Sequence, residues 1–189
     1  DGDMVEAVCA IDLKQRGLLA GDTAVSTVMA NLGLTHALRD AGINLIQTKV
    51  GDRYVLEAMR EGGYVIGGEQ SGHTIFLEHN STGDGLVTAL QFLAACKRAG
   101  KSAGEAAKAM TRFPQTLINV RVKDKHAADG NQAIADAVAA AEAALGEDGR
   151  VLLRPSGTEP VVRVMVEAMD QQAAEQHAKA IAEVVEREI

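Results

Sequence analysis

Aromatic residues are scarce in this chain: no tryptophan, two tyrosines and three phenylalanines among 189 residues. At 3% aromatic content, its core must be packed mainly from alanine, valine, leucine and isoleucine. Cysteine is equally sparse. Cys9 and Cys96 stand alone in apolar, helix-like stretches with no CxxC and no histidine nearby. They read as reduced core residues of a cytoplasmic protein rather than as a disulfide or a metal pair. No apolar run approaches a membrane span, and the N-terminus lacks the basic and apolar regions of a signal peptide. The first residue is Asp1 rather than methionine, which suits a fragment of a longer protein. Positive charge is also in short supply. Against 26 Asp and Glu there are 19 Lys and Arg, for a net charge of -7, which disfavours nucleic acid as a partner. Beyond His73, the histidines His36, His79, His126 and His177 show no HxxxH spacing, and the opening Asp1-Gly2-Asp3 has too few oxygen ligands for calcium or magnesium, so no metal site is expected.

What the chain does have is alternation. Residues 4–16 read as a helix, capped by Asp3 with Glu6 in the capping-box position and ended by Gly17. A strand at 23–29, a helix at 31–41, a strand at 43–49 and a helix at 53–61 follow. Short strands at 64–67 and 74–77 flank the turn GGEQSGH. Asp84 opens a helix whose Leu86, Leu90, Leu93 and Ala94 form an apolar stripe, and a shorter helix covers about 102–111. This order predicts an α/β domain over 1–113, with a mostly parallel mixed sheet and helices on both faces. After Phe113-Pro114 the order changes to a strand at 116–122, an Ala-rich helix at 127–145, strands at 150–154 and 161–168, and a helix at 170–187. That predicts a small α+β domain over 114–189, an antiparallel sheet packed on one face by helices.

Two loops carry chemistry. In Arg154-Pro-Ser-Gly-Thr-Glu-Pro160, Arg154 brings a permanent forked cation, Ser156 and Thr158 bring hydroxyls, and Gly157 permits an unusual φ and a close ligand approach. Such a loop could cradle a phosphate; it could equally be a tight turn whose hydroxyls bond their own backbone. It is not a P-loop, since there is no GxxxxGK[ST] and no helix follows. In Gly67-Gly-Glu-Gln-Ser-Gly-His73, Glu69 could accept hydrogen bonds from two vicinal sugar hydroxyls, with Ser71 and His73 beside it. The plainer alternative is a β-turn with solvated polar side chains.

GGEQSGH in an α/β domain, followed by LLRPSGTEPVVRVMVE in a small C-terminal domain, resembles the α-D-phosphohexomutases over essentially the whole chain. Gln70 points to the glucosamine branch of that family. The resemblance implies a TATA-binding-protein-like C-terminal domain and an enzyme of four domains around one cleft. A phosphoserine in the first domain donates its phosphoryl group to a sugar phosphate; the bisphosphate turns around and returns its other phosphate to the serine. Mg²⁺ assists, held by a DGDGDR-type loop in the second domain. By this match Glu69, Ser71 and His73 read sugar hydroxyls, Arg154, Ser156, Gly157 and Thr158 hold the phosphate that stays put, and Asp52 and Arg53 line the cleft. This chain contains neither the serine loop nor DGDGDR. The resemblance therefore implies the third and fourth domains, with no catalytic residue or metal ligand of their own. Their partners would be a hexosamine phosphate and the missing N-terminal domains, with no nucleic acid and no membrane. Half of a phosphomannomutase or phosphoglucomutase, and a free-standing sugar-phosphate-binding module, are the competing readings.

Overall fold

A computed structural model describes residues 1–189, which divide into two units, Asp1–Arg112 and Phe113–Ile189. In the first unit α1 (Gly2–Gln15) leads through a single 3₁₀ turn into β1 (Thr23–Thr27), α2 (Leu32–Asp40), β2 (Asn44–Thr48) and α3 (Asp52–Gly62). Then come β3 (Ile66–Gly68), β4 (Thr74–Phe76), α4 (Gly85–Ala99) and α5 (Ala103–Ala106). The sheet order is β2-β1-β3-β4. β1 pairs in parallel with β2 and β3, and β3 pairs antiparallel with β4.

Every residue of β1 is buried because the sheet is covered on both faces. Ala24, Ile66 and Phe76 pack with Ala7, Leu13, Leu34 and Leu38 of α1 and α2. The alternate residues Val25 and Ile75 pack with Val55 and Met59 of α3. The period of two along a strand thus sends successive side chains into two separate cores.

Three sequence expectations change. α1 begins at Gly2, and the capping oxygen is that of Asp1, which accepts the Asp3 N–H at 3.0 Å. Asp3 and Glu6 are instead fully buried on the inner face of the helix. The stripe on α4 faces outward, with Leu86, Leu90 and Leu93 exposed at 72%, 60% and 57%. The small residues Ala95 and Cys96 make the contact with Val8 of α1, because side chains of that size let two helices approach closely. Third, the helix expected over 127–145 starts only at Gln132, after the cap Asn131, whose side chain accepts the Ile134 N–H. Both cysteines are free and buried; burial first, and the nearby Asp12 charge second, push the Cys9 thiol up to about 12.

The second unit runs β5 (Gln115–Arg121), α6 (Gln132–Leu145), β6 (Arg150–Pro155), β7 (Val161–Glu167) and α7 (Gln171–Glu188). Its antiparallel sheet has the order β5-β7-β6, so β7 is central. Val162, Val164 and Val166 on one face of β7 pack against Ile134 and Ala141 of α6 and Ala178, Ile181 and Val185 of α7. The other face carries Arg163, Met165 and Glu167, in register with Arg154, Leu152 and Arg150 of β6.

Candidate functional site

The GGEQSGH loop joins β3 to β4 across the end of the sheet. It closes on itself: the Glu69 N–H donates to the His73 carbonyl at 3.0 Å, and the Gly72 N–H donates to the Glu69 carbonyl at 2.9 Å. Ser26 of β1 donates its hydroxyl to the Gly68 carbonyl at 3.0 Å. Glu69 Oε1 accepts the Gly51 N–H at 3.1 Å, at the entry to α3. That bond orients the carboxyl and engages only Oε1. Ser71 is exposed at the tip, while Glu69 and His73 are half-buried.

Nε2 of His73 lies 3.2 Å from the Gly83 N–H and 3.5 Å from Asp52 Oδ2. These contacts need different protonation states. A neutral ring accepts from Gly83 at Nε2 and carries its proton on Nδ1; an imidazolium donates to Asp52. The ring lies against Gly83 so closely that a Cβ there would meet it at 2.5 Å, so any other residue would displace the imidazole. Asp52 is thus brought to the loop through His73. Arg53 is not: its guanidinium turns along α3 to Glu57 at 2.8 Å.

The RPSGTEP loop joins β6 to β7. Ser156 is 1% exposed; its N–H donates to the Val161 carbonyl, and its Oγ accepts the Glu159 N–H at 3.3 Å. Its hydroxyl therefore serves the turn as well as having an O–H to give. Gly157 has no positive φ, and a Cβ there would meet nothing, which corrects the expectation of an unusual backbone. What the glycine supplies is backbone exposed at the turn, with no side chain over it. Thr158 is exposed.

Two cations escaped the sequence reading. Lys125, in the turn after β5, donates to the Ser156 carbonyl at 2.6 Å and lies 3.5 Å from that of Gly157. Arg163 stands opposite Arg154 in the strand register. Its Nη2 reaches Glu159 at 3.3 Å, but its buried Nε has no hydrogen-bond partner. Burial first, and the Arg163 charge second, push the Arg154 guanidinium below the usual arginine value. The same face shows what a satisfied pair looks like: Arg150 Nε donates to Glu167 at 2.8 Å, across from it in register. Two arginines set opposite one another call for an anion.

Nowhere do three His, Cys, Asp or Glu side chains converge so as to hold a metal ion. A hollow of about 470 Å³, lined by Leu13, Phe76, Leu90 and Arg98 among others, includes no residue of either loop. A smaller one of about 310 Å³ adjoins Ser71, Gly72 and Thr88. No helix is long and apolar enough to cross a membrane.

Comparison with known proteins adds independent findings. Residues 1–113 match the family model for the phosphoglucomutase/phosphomannomutase alpha/beta/alpha domain III, and residues 117–184 match the one for the C-terminal domain of the same family. The chain is 60% identical over 185 residues to a phosphoglucosamine mutase of Frankia alni, covering 98% of this chain and 41% of that protein. It is 56% identical over 189 residues to one of Thermobifida fusca, covering 100% and 42%. Among solved structures, N-acetylphosphoglucosamine mutase of Aspergillus fumigatus, in complex with GlcNAc-6P and magnesium, superimposes with a TM-score of 0.82. The identity is 20%, and the match covers 98% of this chain and 46% of that one. The chain thus spans about two fifths of the length of the curated relatives it matches.

Proposed function

The chain belongs to the phosphoglucomutase/phosphomannomutase family, and from that premise we propose that it is the substrate-holding C-terminal part of a phosphoglucosamine mutase. The whole protein would interconvert glucosamine 6-phosphate and glucosamine 1-phosphate, an isomerase step in carbohydrate metabolism. A phosphoserine in the preceding part transfers its phosphoryl group to the free sugar oxygen, giving a bisphosphate; the other phosphoryl group then returns to the serine. Mg²⁺ assisting that transfer would be held by the preceding part, since the side chains here do not fit a divalent cation.

This chain's work is binding. Glu69, Ser71 and His73, with Asp52 behind His73, read the sugar hydroxyls. Arg154, Arg163, Ser156, Gly157 and Thr158 hold the phosphate that stays put. The observation that carries the reading is the Arg154–Arg163 pair beside an exposed Gly-Thr turn. Because the bisphosphate turns around, the cradle must accept a phosphate from either end of the sugar. Guanidinium forks and backbone N–H groups suit that task, since they read phosphate and nothing of the ring.

The test is the interconversion of the two glucosamine phosphates by the full-length protein, in competition with mannose and glucose phosphates. Preference for either competitor would replace this reading with a phosphomannomutase or phosphoglucomutase. The 189-residue chain alone is expected to bind sugar phosphate weakly without turnover.

A further inference from the structure

The loop that presents Glu69 is gripped from beneath by the first turn of α1. The Gly2 N–H donates to the Gln70 carbonyl at 3.1 Å. The Gln70 side-chain amide donates from Nε2 to Asp3 Oδ2 at 3.3 Å, across 67 residues of sequence. The same Asp3 oxygen accepts the Asn31 N–H at 2.8 Å, which fixes it at the N-terminus of α2. Asp3 is fully buried, so its carboxyl offers a fixed acceptor rather than a solvated one. Gly2 lies so close to the loop that a Cβ on it would overlap the Glu69 carbonyl oxygen and come within 2.7 Å of the Gly72 nitrogen.

We infer that Asp3 and Gln70 are positioning residues: Gln70 ties the loop down to Asp3 instead of touching the sugar, and Glu69 is aimed through that tie. The inference rests on the reading of Glu69 as the sugar-binding carboxyl, but the tie itself does not. The chemistry fixes which group faces Asp3. A carboxylate oxygen accepts only, so the amide must present its NH₂. A side chain at position 70 that cannot donate would release the loop.

The decisive experiment removes the donor in two ways. Gln70→Glu sets two carboxyls against each other at the tie, while Gln70→Met keeps the length of the side chain and removes only the donor; Asp3 is left unaltered because the same oxygen also accepts the Asn31 N–H. Two readouts are taken: hydrogen exchange at the Glu69 and Gly72 amides, which donate within the loop, and the kinetics of the full-length protein on glucosamine 6-phosphate. Gln70→Glu is expected to speed exchange about tenfold, the loss of roughly one hydrogen bond. KM should rise by a similar factor while kcat changes little, because a mis-aimed Glu69 weakens ground state and transition state alike. A merely structural defect would instead reduce the active fraction and leave KM unmoved. Gln70→Met should move both readouts in the same direction by a similar factor, the loss of one hydrogen bond without added charge. Should Gln70→Glu fail to fold, Gln70→Ala, which removes the donor without adding charge, is expected to give the same faster exchange. Unchanged exchange and KM in Gln70→Glu or in Gln70→Met overturns the inference. If the starting protein proves inactive on glucosamine 6-phosphate, the proposed function fails, and hydrogen exchange still judges the tie.

Discussion

Arg154 and Arg163 face each other directly across β6 and β7, like charge against like, while four register positions away on the same face Arg150 meets Glu167 at 2.8 Å. Like charges opposite one another on a sheet destabilise it, by an amount of order 0.2–1 kcal/mol. Arg154→Met should therefore have two effects of opposite sign. Without ligand, the second unit gains about 0.5 kcal/mol. With inorganic phosphate added, the variant fails to show the rise in melting temperature that the unaltered chain shows. Melting curves with and without phosphate read both, and a loss of stability without ligand would count against the like-charge account.

Lys125 Nζ donates to the Ser156 carbonyl at 2.6 Å and lies 3.5 Å from that of Gly157, which ties down the backbone at the exposed Gly157 and Thr158. Lys125→Met is expected to weaken phosphate binding about tenfold, near the lower limit for one charge-assisted hydrogen bond. Lys125→Arg should recover part of it. Calorimetry with inorganic phosphate measures both, and equal affinities would leave Lys125 without a role in the cradle.

Glu69 Oε1 accepts the Gly51 N–H, and the proposed function assigns its charge to the sugar hydroxyls. Glu69→Gln retains an acceptor for Gly51 and loses the charge. In the full-length enzyme, kcat/KM should fall by about 10–100-fold, one charged hydrogen bond. Phosphate affinity at the second unit should stay as it was. A parallel fall in phosphate affinity would mean that the substitution damages more than the sugar loop.

The two loops were legible in the sequence because each is contiguous, with its chemistry packed into seven residues. Arg163 and Lys125 were not, for a physical reason. Each reaches the loop through tertiary structure, one by strand register and the other by a turn after β5. The α/β alternation and the antiparallel second sheet follow from hydrophobic period, which the sequence displays directly. Period alone does not say which side of a helix is covered, so the leucines of α4 formed a visible stripe whose outward orientation was hidden. The start of α1 was misplaced because Asp1 and Asp3 are both good caps. What chooses between them is the fit of Gly2 under the Glu69 carbonyl, a contact between distant segments.

Glu6 makes the stability of the first unit depend on pH. It is fully buried, and neither carboxyl oxygen has a hydrogen-bond partner. Desolvation first, and the charge of Asp3 second, hold its pKa well above the usual glutamate value; Ser26, already committed to the Gly68 carbonyl at 3.0 Å, offsets this only weakly. The folded state therefore keeps a proton that the unfolded chain releases near pH 4.3. Stability should fall as pH rises from there toward the folded pKa, since the native state binds more protons over that window. Glu6→Leu should flatten that slope and add about 1 kcal/mol at pH 8, by removing an unsatisfied buried acid. Urea titrations at pH 5 and pH 8 check both, and parallel slopes for the two proteins would exclude Glu6 as the source.

The two buried thiols give this protein a chemically silent surface. Cys9, at about 12, stays protonated at working pH, and Cys96 is equally shielded from solvent. A maleimide dye would find nothing to react with on the folded chain. Ser71→Cys would then supply a single address at the exposed tip of the GGEQSGH loop. A fluorophore attached there would report, from one defined point, how far that loop moves in the free protein.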